Sequence, residues 1–545
     1  MFSNNTQLKI WTILVILIAA VIATPILFVA SSIFTFQGDV WSHLATTVLP
    51  GYITNSFYLM LGVGTGVFII GVDTAWLVTA CSFPGSKIFQ WALLLPMAAP
   101  AYLLAYTYTD LLEYFGPVQT GLRAIFGWSS AQDYWFPNIR SLWGAIAMLV
   151  LVLYPYVYLL TRVAFLAQSA RTIEASRALG CGPWRSFFTV ALPLARPAII
   201  SGIALILMET LSDFGTVEYF GVSTFTTGIY RTWFGRDQRV AAAQLAAVLM
   251  VFVLTLIILE NYSRGQSRYY QTANNYHSPP SYPLSGIRAI LAGLACLLPL
   301  TLGFLLPGVR LVYLTLEYAE DTLDDKFLQL AQHSFILASI TAVIAVVIAL
   351  LMAYGQRLSP SFFMGLGVRV AAMGYAIPGS VIAVGVMIPM GRLDNAIDSY
   401  MSATFGIKTG LLLSGTITAL ILAYLVRFLA VSFNTVSSSL TQITPNLDDA
   451  ARSLGHGAGS TLVRVHAPLM VPGLLTAAML VFVDVMKELP ATLVIRPFNF
   501  DTLAVRVYQY ASDERLIEAS APALVIVLVG IIPVIFLSWK INNRR

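Results

Sequence analysis

Four carboxylates interrupt otherwise apolar stretches of this chain: Glu209 and Asp213 in one stretch, Asp484 and Glu488 in another. Within each pair the acids are four residues apart, a spacing that puts both on one helix face about 6 Å apart along the axis. A charge at the centre of a bilayer costs about 2.5–3.5 kcal/mol on insertion scales, so such a residue faces a cavity or a partner. Two readings stand. If the four acids line one route, they suit a hard cation with a preference for oxygen ligands. If instead Lys487 neutralises Asp484, the acids are pairs, caps or gates that never meet a substrate. Arg427, alone in its stretch, reads as an interface anchor. The five histidines share no metal-ligand spacing, and Cys81, Cys181 and Cys296 are too scattered for a thiolate site or a disulfide framework. No catalytic residue and no permanently bound metal is expected.

The elements that must position these acids are membrane helices. Of 545 residues 58% are hydrophobic and only 10% charged, with a mean hydropathy of +0.78. So few charges cannot cover the outside of a soluble globule of this size. Runs long enough to span the hydrocarbon core begin with Ile10–Ala30 and continue near Ser56–Ala80, Phe89–Leu112, Leu142–Leu166, Ala198–Glu218 and Val240–Leu259. The first run exceeds the core of a signal peptide, the competing reading of that end. A polar stretch with a Ser278-Pro279-Pro280-Ser281 turn signal follows and reads as a cytoplasmic linker over residues 261–286. Six more runs come after it: Ile287–Leu306, Ser334–Gly355, Val368–Met390, Leu411–Val431, Gly473–Leu489 and Ala519–Trp539. The expected fold is therefore an all-α integral membrane protein of about twelve transmembrane helices in two six-helix halves, residues 1–260 and 287–545. The 31 Lys and Arg residues are scattered in ones and twos between apolar runs with no nucleic-acid footprint, and their bias towards alternate loops, against Arg231, Arg236, Arg496 and Arg506 in the opposite ones, sets both termini in the cytoplasm.

The halves repeat each other. Glu174-Ala175-Ser176-Arg177-Ala178-Leu179-Gly180 resembles Asp449-Ala450-Ala451-Arg452-Ser453-Leu454-Gly455 at an offset of 275 positions. Without a gap, the same offset pairs Pro193 with Pro468, Asp213 with Glu488 and Arg231 with Arg506, and it carries Glu209 onto Asp484. An offset of 278 pairs Ser56 with Ser334 and Pro100 with Pro378. The repeated cytoplasmic segments, about 168–197 and 443–472, each hold arginines, a short helical pattern and a glycine suited to the φ > 0 turn that ends a helix. By pattern alone each is either an amphipathic helix among lipid headgroups or a docking element. Duplication at equivalent places favours two identical docking partners.

Glu174-Ala175-Ser176, then Gly180, then Val190-Ala191-Leu192-Pro193, resembles the E-A-A…G…I-x-L-P loop of the membrane subunits of binding-protein-dependent ABC importers. The second copy departs from it at Asp449 and Ala467. Met486-Lys487-Glu488-Leu489-Pro490-Ala491-Thr492, continuing through Arg496-Pro497-Phe498-Asn499-Phe500-Asp501-Thr502, is similar to the fused permeases of ferric-iron importers. The resemblance implies a type I importer fold in a bacterial inner membrane and coupling to an ATPase through Glu174, Ala175, Arg177, Gly180, Pro193, Asp449, Ala450, Arg452, Gly455 and Pro468. It implies two copies of an ABC ATPase subunit as partners, a substrate-binding protein on the outer face, and transport of ferric iron by alternating access. ATP and magnesium would be used by the partner, and no cofactor by this chain, which has no phosphate-loop motif. Fused permeases for thiamine or phosphonate-type compounds are the alternative, as is an ion-coupled secondary transporter, although the latter leaves the duplicated loops unexplained.

Overall fold

The computed structural model describes residues 2–35, 38–168, 176, 180–264, 282–318 and 325–542. Among these, ten helices are long and apolar enough to cross a membrane, and two further pairs, bent by 90° and 80°, bring the number to 12 if each is one span. The chain forms two compact units that interleave along the sequence.

One unit gathers Met1–Ser42, Gly228–Met250 and Asp325–Arg506. The amino-terminal helix Phe2–Ser31 packs on the helices Phe362–Ala371, Gly379–Phe405 and Asp325–Leu358. Gly385 lets it approach closely, since a Cβ there would lie 2.5 Å from the Pro25 carbonyl oxygen. Helix contacts in lipid have no hydrophobic drive of their own, so such small-residue crossings supply the dispersion contact instead. Behind this layer, Asp325–Leu358, Ile417–Thr441 and Val471–Met486 pack against one another.

The other unit gathers His43–Thr227, Val251–Asp324 and Val507–Arg545. Its core is the crossing of Leu49–Ala80 with Leu142–Ala167. A Cβ on Gly62 would come within 2.7 Å of Ile146, and one on Gly66 within 2.5 Å of Val150, so this pair of helices meets through the G-x-x-x-G spacing. The helices Leu306–Glu317 and Leu516–Asn542 pack on each other, and Arg310 on the former pairs with Asp110 at 2.8 Å. Tyr282–Pro283 forms a two-residue parallel pairing with Cys81–Ser82, while the linker before it, residues 265–281, lies outside the described residues.

Several apolar runs are not single straight helices. The Phe89–Leu112 run bends by 90° between Ser86–Ala98 and Ala101–Phe126. The Val368–Met390 run is likewise broken, by a 3-10 turn at Gly374–Ala376 ahead of the helix Gly379–Phe405. Pro100 and Pro378 stand at the two breaks in extended conformation, each immediately before the following helix. Proline has no N–H to continue the preceding helix and holds its own φ near that of a helix start, so both copies break at the same place.

Candidate functional site

The second cytoplasmic segment is fully described. Pro445 precedes the helix Asn446–Ser453, which carries Asp448 and Asp449 in its first turn and Arg452 in its last, a charge order that suits the helix dipole. Gly455 then takes φ +80°, with His456 N–H donating to Ala451 C=O at 3.0 Å and Gly455 N–H to Arg452 C=O at 2.9 Å. This is a Schellman turn, which satisfies carbonyls that the helix end leaves open. Asp449, Ala450, Arg452, Gly455 and Pro468 are all exposed, with Asp449 and Arg452 in a loose 3.7 Å ion pair. Leu454 is exposed beside them.

The first segment is described only in part. Glu174, Ala175 and Arg177 lie outside the described residues. Gly180 takes φ +79°, and Cys181 N–H donates to Ser176 C=O at 3.0 Å, the counterpart of the bond between His456 and Ala451. Ser176, like Ala451, is buried. In both copies a π-helical turn follows, Phe187–Ala191 and Leu462–His466, and leads to the exposed Pro193 and Pro468.

The two segments are held by different chemistry. In the second, Asp448 is 8% exposed and accepts from Arg357 Nε at 2.9 Å, while His466 Nε2 lies 2.7 Å from its other oxygen. Arg357 also donates to the carbonyls of Leu440 and Ile443, so it ties the end of one membrane helix to the start of the coupling segment. Burial would raise the Asp448 pKa, but hydrogen bonds and charge from His466 and Arg357 outweigh it and hold the carboxyl below its ordinary value. In the first, Trp76 packs on Phe165 and Phe187 at centroid separations of 5.5 and 4.9 Å. Arg357 and His466 are unremarkable as sequence signals, one a loop charge and the other a lone histidine, and Asp448 stands beside the acid that matches the motif. Only their convergence marks them.

The intramembrane acids are arranged differently from the single helix face that their spacing suggests. The helix Leu192–Ser212 ends before Asp213, and Val471–Met486 ends before Glu488. Each carboxylate turns forward to cap the short helix that follows. Asp213 accepts from Val217 N–H at 3.1 Å and Thr216 Oγ1 at 3.0 Å, at the head of Gly215–Tyr219. Glu488 accepts from Ala491 N–H at 2.9 Å and Thr492 N–H at 3.0 Å, at the head of Pro490–Ile495. A carboxylate satisfies the free N–H groups of a helix start, so the acids that the repeat aligns hold the same chain break in both copies.

Beyond capping, the copies diverge. Glu488 is 4% exposed and pairs with Arg427 at 3.4 Å, so Arg427 has an ionic partner that its reading as an interface anchor did not name. Gly379 makes room for them, because a Cβ there would lie 2.8 Å from Glu488 Oε1 and collide with the guanidinium. Asp484 pairs with Lys487 at 3.0 Å. No lysine or arginine among the described residues pairs with Asp213, and Glu209, four residues before it, adds a like charge. Among the described residues no three His, Cys, Asp or Glu side chains converge as a metal site.

Residues 5–260 match the family described as "Binding-protein-dependent transport system inner membrane component". Over 500 residues the chain is 27% identical to the Fe(3+)-transport system permease protein FbpB 2 of Haemophilus influenzae, covering 89% of each. It is 22% identical over 564 residues to the ferric transport system permease protein FbpB of Actinobacillus pleuropneumoniae, covering 98% of this chain and 78% of that one. A shorter match, 32% identical over 151 residues, is to the molybdenum transport system permease protein ModB of Escherichia coli, covering 28% of this chain and 62% of that one.

Proposed function

We propose that this chain, which matches the inner membrane components of binding-protein-dependent transport systems over residues 5–260, is the permease of an ATP-driven importer and that its cargo is ferric iron. The observation that carries the cargo is length: the ferric relatives match nearly the whole chain, whereas the molybdenum relative matches 28% of it. The acids at the helix breaks agree in sign, since a carboxylate in low dielectric attracts a cation and repels an oxyanion. This permease family does not itself carry ATPase activity, so ATP and magnesium act on the ATPase partner.

In this reading two copies of the ATPase seat the segments 168–197 and 443–472, and a loaded binding protein delivers iron on the opposite face. Both termini lie in the cytoplasm, and residues 1–260 and 287–545 are the repeated halves. Closure of the ATPases drives the two segments together, and the attached helices switch the route from one side of the membrane to the other. Of the four acids, Glu209 and Asp213 carry the route, because Asp484 and Glu488 are offset by Lys487 and Arg427. The exposed Asp449, Ala450 and Arg452, with the motif positions Glu174, Ala175 and Arg177, form the contact with the ATPase.

The test is uptake of radiolabelled ferric iron by cells with and without this chain, alongside charge reversal at both Glu174 and Asp449. The expected outcome is chain-dependent uptake, and loss of ATPase co-purification in the reversed variant. Uptake that does not depend on the chain refutes the cargo, and unchanged co-purification refutes the docking assignment.

A further inference from the structure

Asp213 caps a short helix whose last residue belongs to a cluster of phenols. Tyr102 and Tyr106 stand one helical turn apart on Ala101–Leu112, directly after the break at Pro100, and their ring centroids are 5.7 Å apart. Tyr219, at the end of the short helix that Asp213 caps, meets the Tyr106 ring at 4.5 Å. The Tyr106 hydroxyl lies within electrostatic reach of Asp213, Tyr102, Tyr219 and Tyr508. Tyr106 is 1% exposed and its hydroxyl has no hydrogen-bond partner among the described residues. Leaving a buried hydroxyl unpaired is unfavourable, which asks for a compensating use.

The repeat sharpens the observation. By the offsets that align the halves, Tyr102, Tyr106 and Tyr219 correspond to Ser380, Val384 and Val494, so none of these three phenols is repeated; the second acid is paired with Arg427, and the phenol beside it, Tyr424, has its hydroxyl engaged by Thr492 Oγ1 at 2.6 Å. The cluster is thus a feature of one copy. It also leads outward: Arg140 lies 5.1 Å over the Tyr219 ring and pairs at 3.1 Å with the exposed Glu514.

We infer that Asp213 and the phenols of Tyr106, Tyr102 and Tyr219 form a transient site for the ferric ion inside the membrane, an inference that rests on the cargo proposed above. Ferric iron is a hard cation and takes carboxylate and phenolate oxygens. Each phenol that bonds the ion displaces a water or hydroxide from the ion's own shell and passes its O–H proton to it, so the leaving group departs as hydronium or water; the iron stays ferric and no electron moves. A phenol is a better resident of a low-dielectric site than a further carboxylate, because it is neutral while the site is empty and becomes an anion only when the cation arrives. Capping uses one lone pair on each Asp213 oxygen and leaves others for a ligand.

The experiment uses Tyr106→Phe in the full transporter with its ATPase and binding protein, reconstituted in liposomes, and measures ferric uptake per assembled complex. In parallel, the permease–ATPase complex in nanodiscs is titrated with ferric nitrilotriacetate and followed by visible absorption, in which iron-bound phenolate gives a charge-transfer band. Tyr154→Phe is the control, since it removes another buried hydroxyl without a partner, away from the cluster. The expected result is a band in the wild type that is lost in Tyr106→Phe, with uptake lowered at least about tenfold, the scale seen when a metal's supporting group is removed. The control should keep both. A wild type that imports ferric iron yet shows no band, or a Tyr106→Phe variant with full uptake, overturns the site and leaves the cargo standing. A wild type that does not import ferric iron overturns both. The wild-type titration decides the matter even if the variant fails to assemble.

Discussion

Replacing Asp448 by Ala tests how the second coupling segment is held. The substitution removes the carboxylate that Arg357 and His466 share inside a site where Asp448 is 8% exposed and His466 is fully buried. Breaking a buried pair from one side costs about 3–5 kcal/mol, because the remaining charge is left desolvated. Arg357 keeps its bonds to the carbonyls of Leu440 and Ile443, so the lower end applies. About 3 kcal/mol corresponds to roughly a hundredfold change in the local opening equilibrium. Hydrogen exchange in nanodiscs should therefore show the amides of Asn446–Ser453 and the turn at Gly455 exchanging about a hundredfold faster, with the Ile417–Thr441 helix unchanged. ATPase co-purification should fall with it. The pH dependence follows from the lowered pKa of Asp448 against its ordinary 3.8. A carboxyl whose folded pKa is depressed contributes stability that is present above the unfolded pKa and is lost as pH falls through the folded one. Protection of the segment by this group should thus be flat from pH 5 to 8 and decline only below about pH 4. Exchange that is unaltered in Asp448→Ala would refute the anchoring argument.

The remaining predictions concern the turns and the acids. Gly180→Val and Gly455→Val should each cost about 1–3 kcal/mol and reduce transport-coupled ATPase activity, whereas Gly→Asn should be milder. No described residue lies within 4 Å of a Cβ at either position, so the expected effect is backbone strain, and equal activity of Val and Asn variants would contradict it. Gly379→Ala drives a methyl into the Arg427–Glu488 pair and should lower stability by about 1–3 kcal/mol, read as a drop in the thermal midpoint of the purified permease; an unchanged midpoint would show that the pair is not tightly packed. The double variant Glu209→Gln with Asp213→Asn should lose uptake per inserted molecule, whereas Asp484→Asn with Glu488→Gln should lose stability by stranding Lys487 and Arg427. A variant amidated at all four acids that takes up iron normally would remove them from the route.

Much of this molecule can be read without coordinates, because its strongest signals are local or periodic. An apolar run of about twenty residues dictates a membrane helix, since every backbone polar group must be satisfied within it. Glycine at 180 and 455, after a short helical pattern, announces a left-handed helix end, and φ values of +79° and +80° follow from having no Cβ. Duplication at a fixed offset aligns Pro100 with Pro378 and Asp213 with Glu488 before any reason for the alignment is visible.

The reason is tertiary. Hydropathy runs smoothly through Leu192–Glu218 and Val471–Leu489, so it cannot reveal that each helix stops short of its second acid and that the carboxylate caps a new one; that depends on where the chain must turn to pack. Arg357 and Asp448 are 91 residues apart and Arg427 and Glu488 are 61 apart, and neither pair has a spacing rule, because ion pairs between helices depend on which helices adjoin. The amino-terminal helix belongs by sequence to the first copy, yet it packs within the unit that contains Asp325–Arg506, a choice made by small residues such as Gly385 that admit its backbone. The sequence by itself determined a helical membrane protein with two equivalent turns and two equivalent acids. Only the tertiary structure decided that Glu488 would be neutralised by Arg427 while Asp213 caps its helix without such a partner among the described residues, because the groups that differ come from elements far away in the chain.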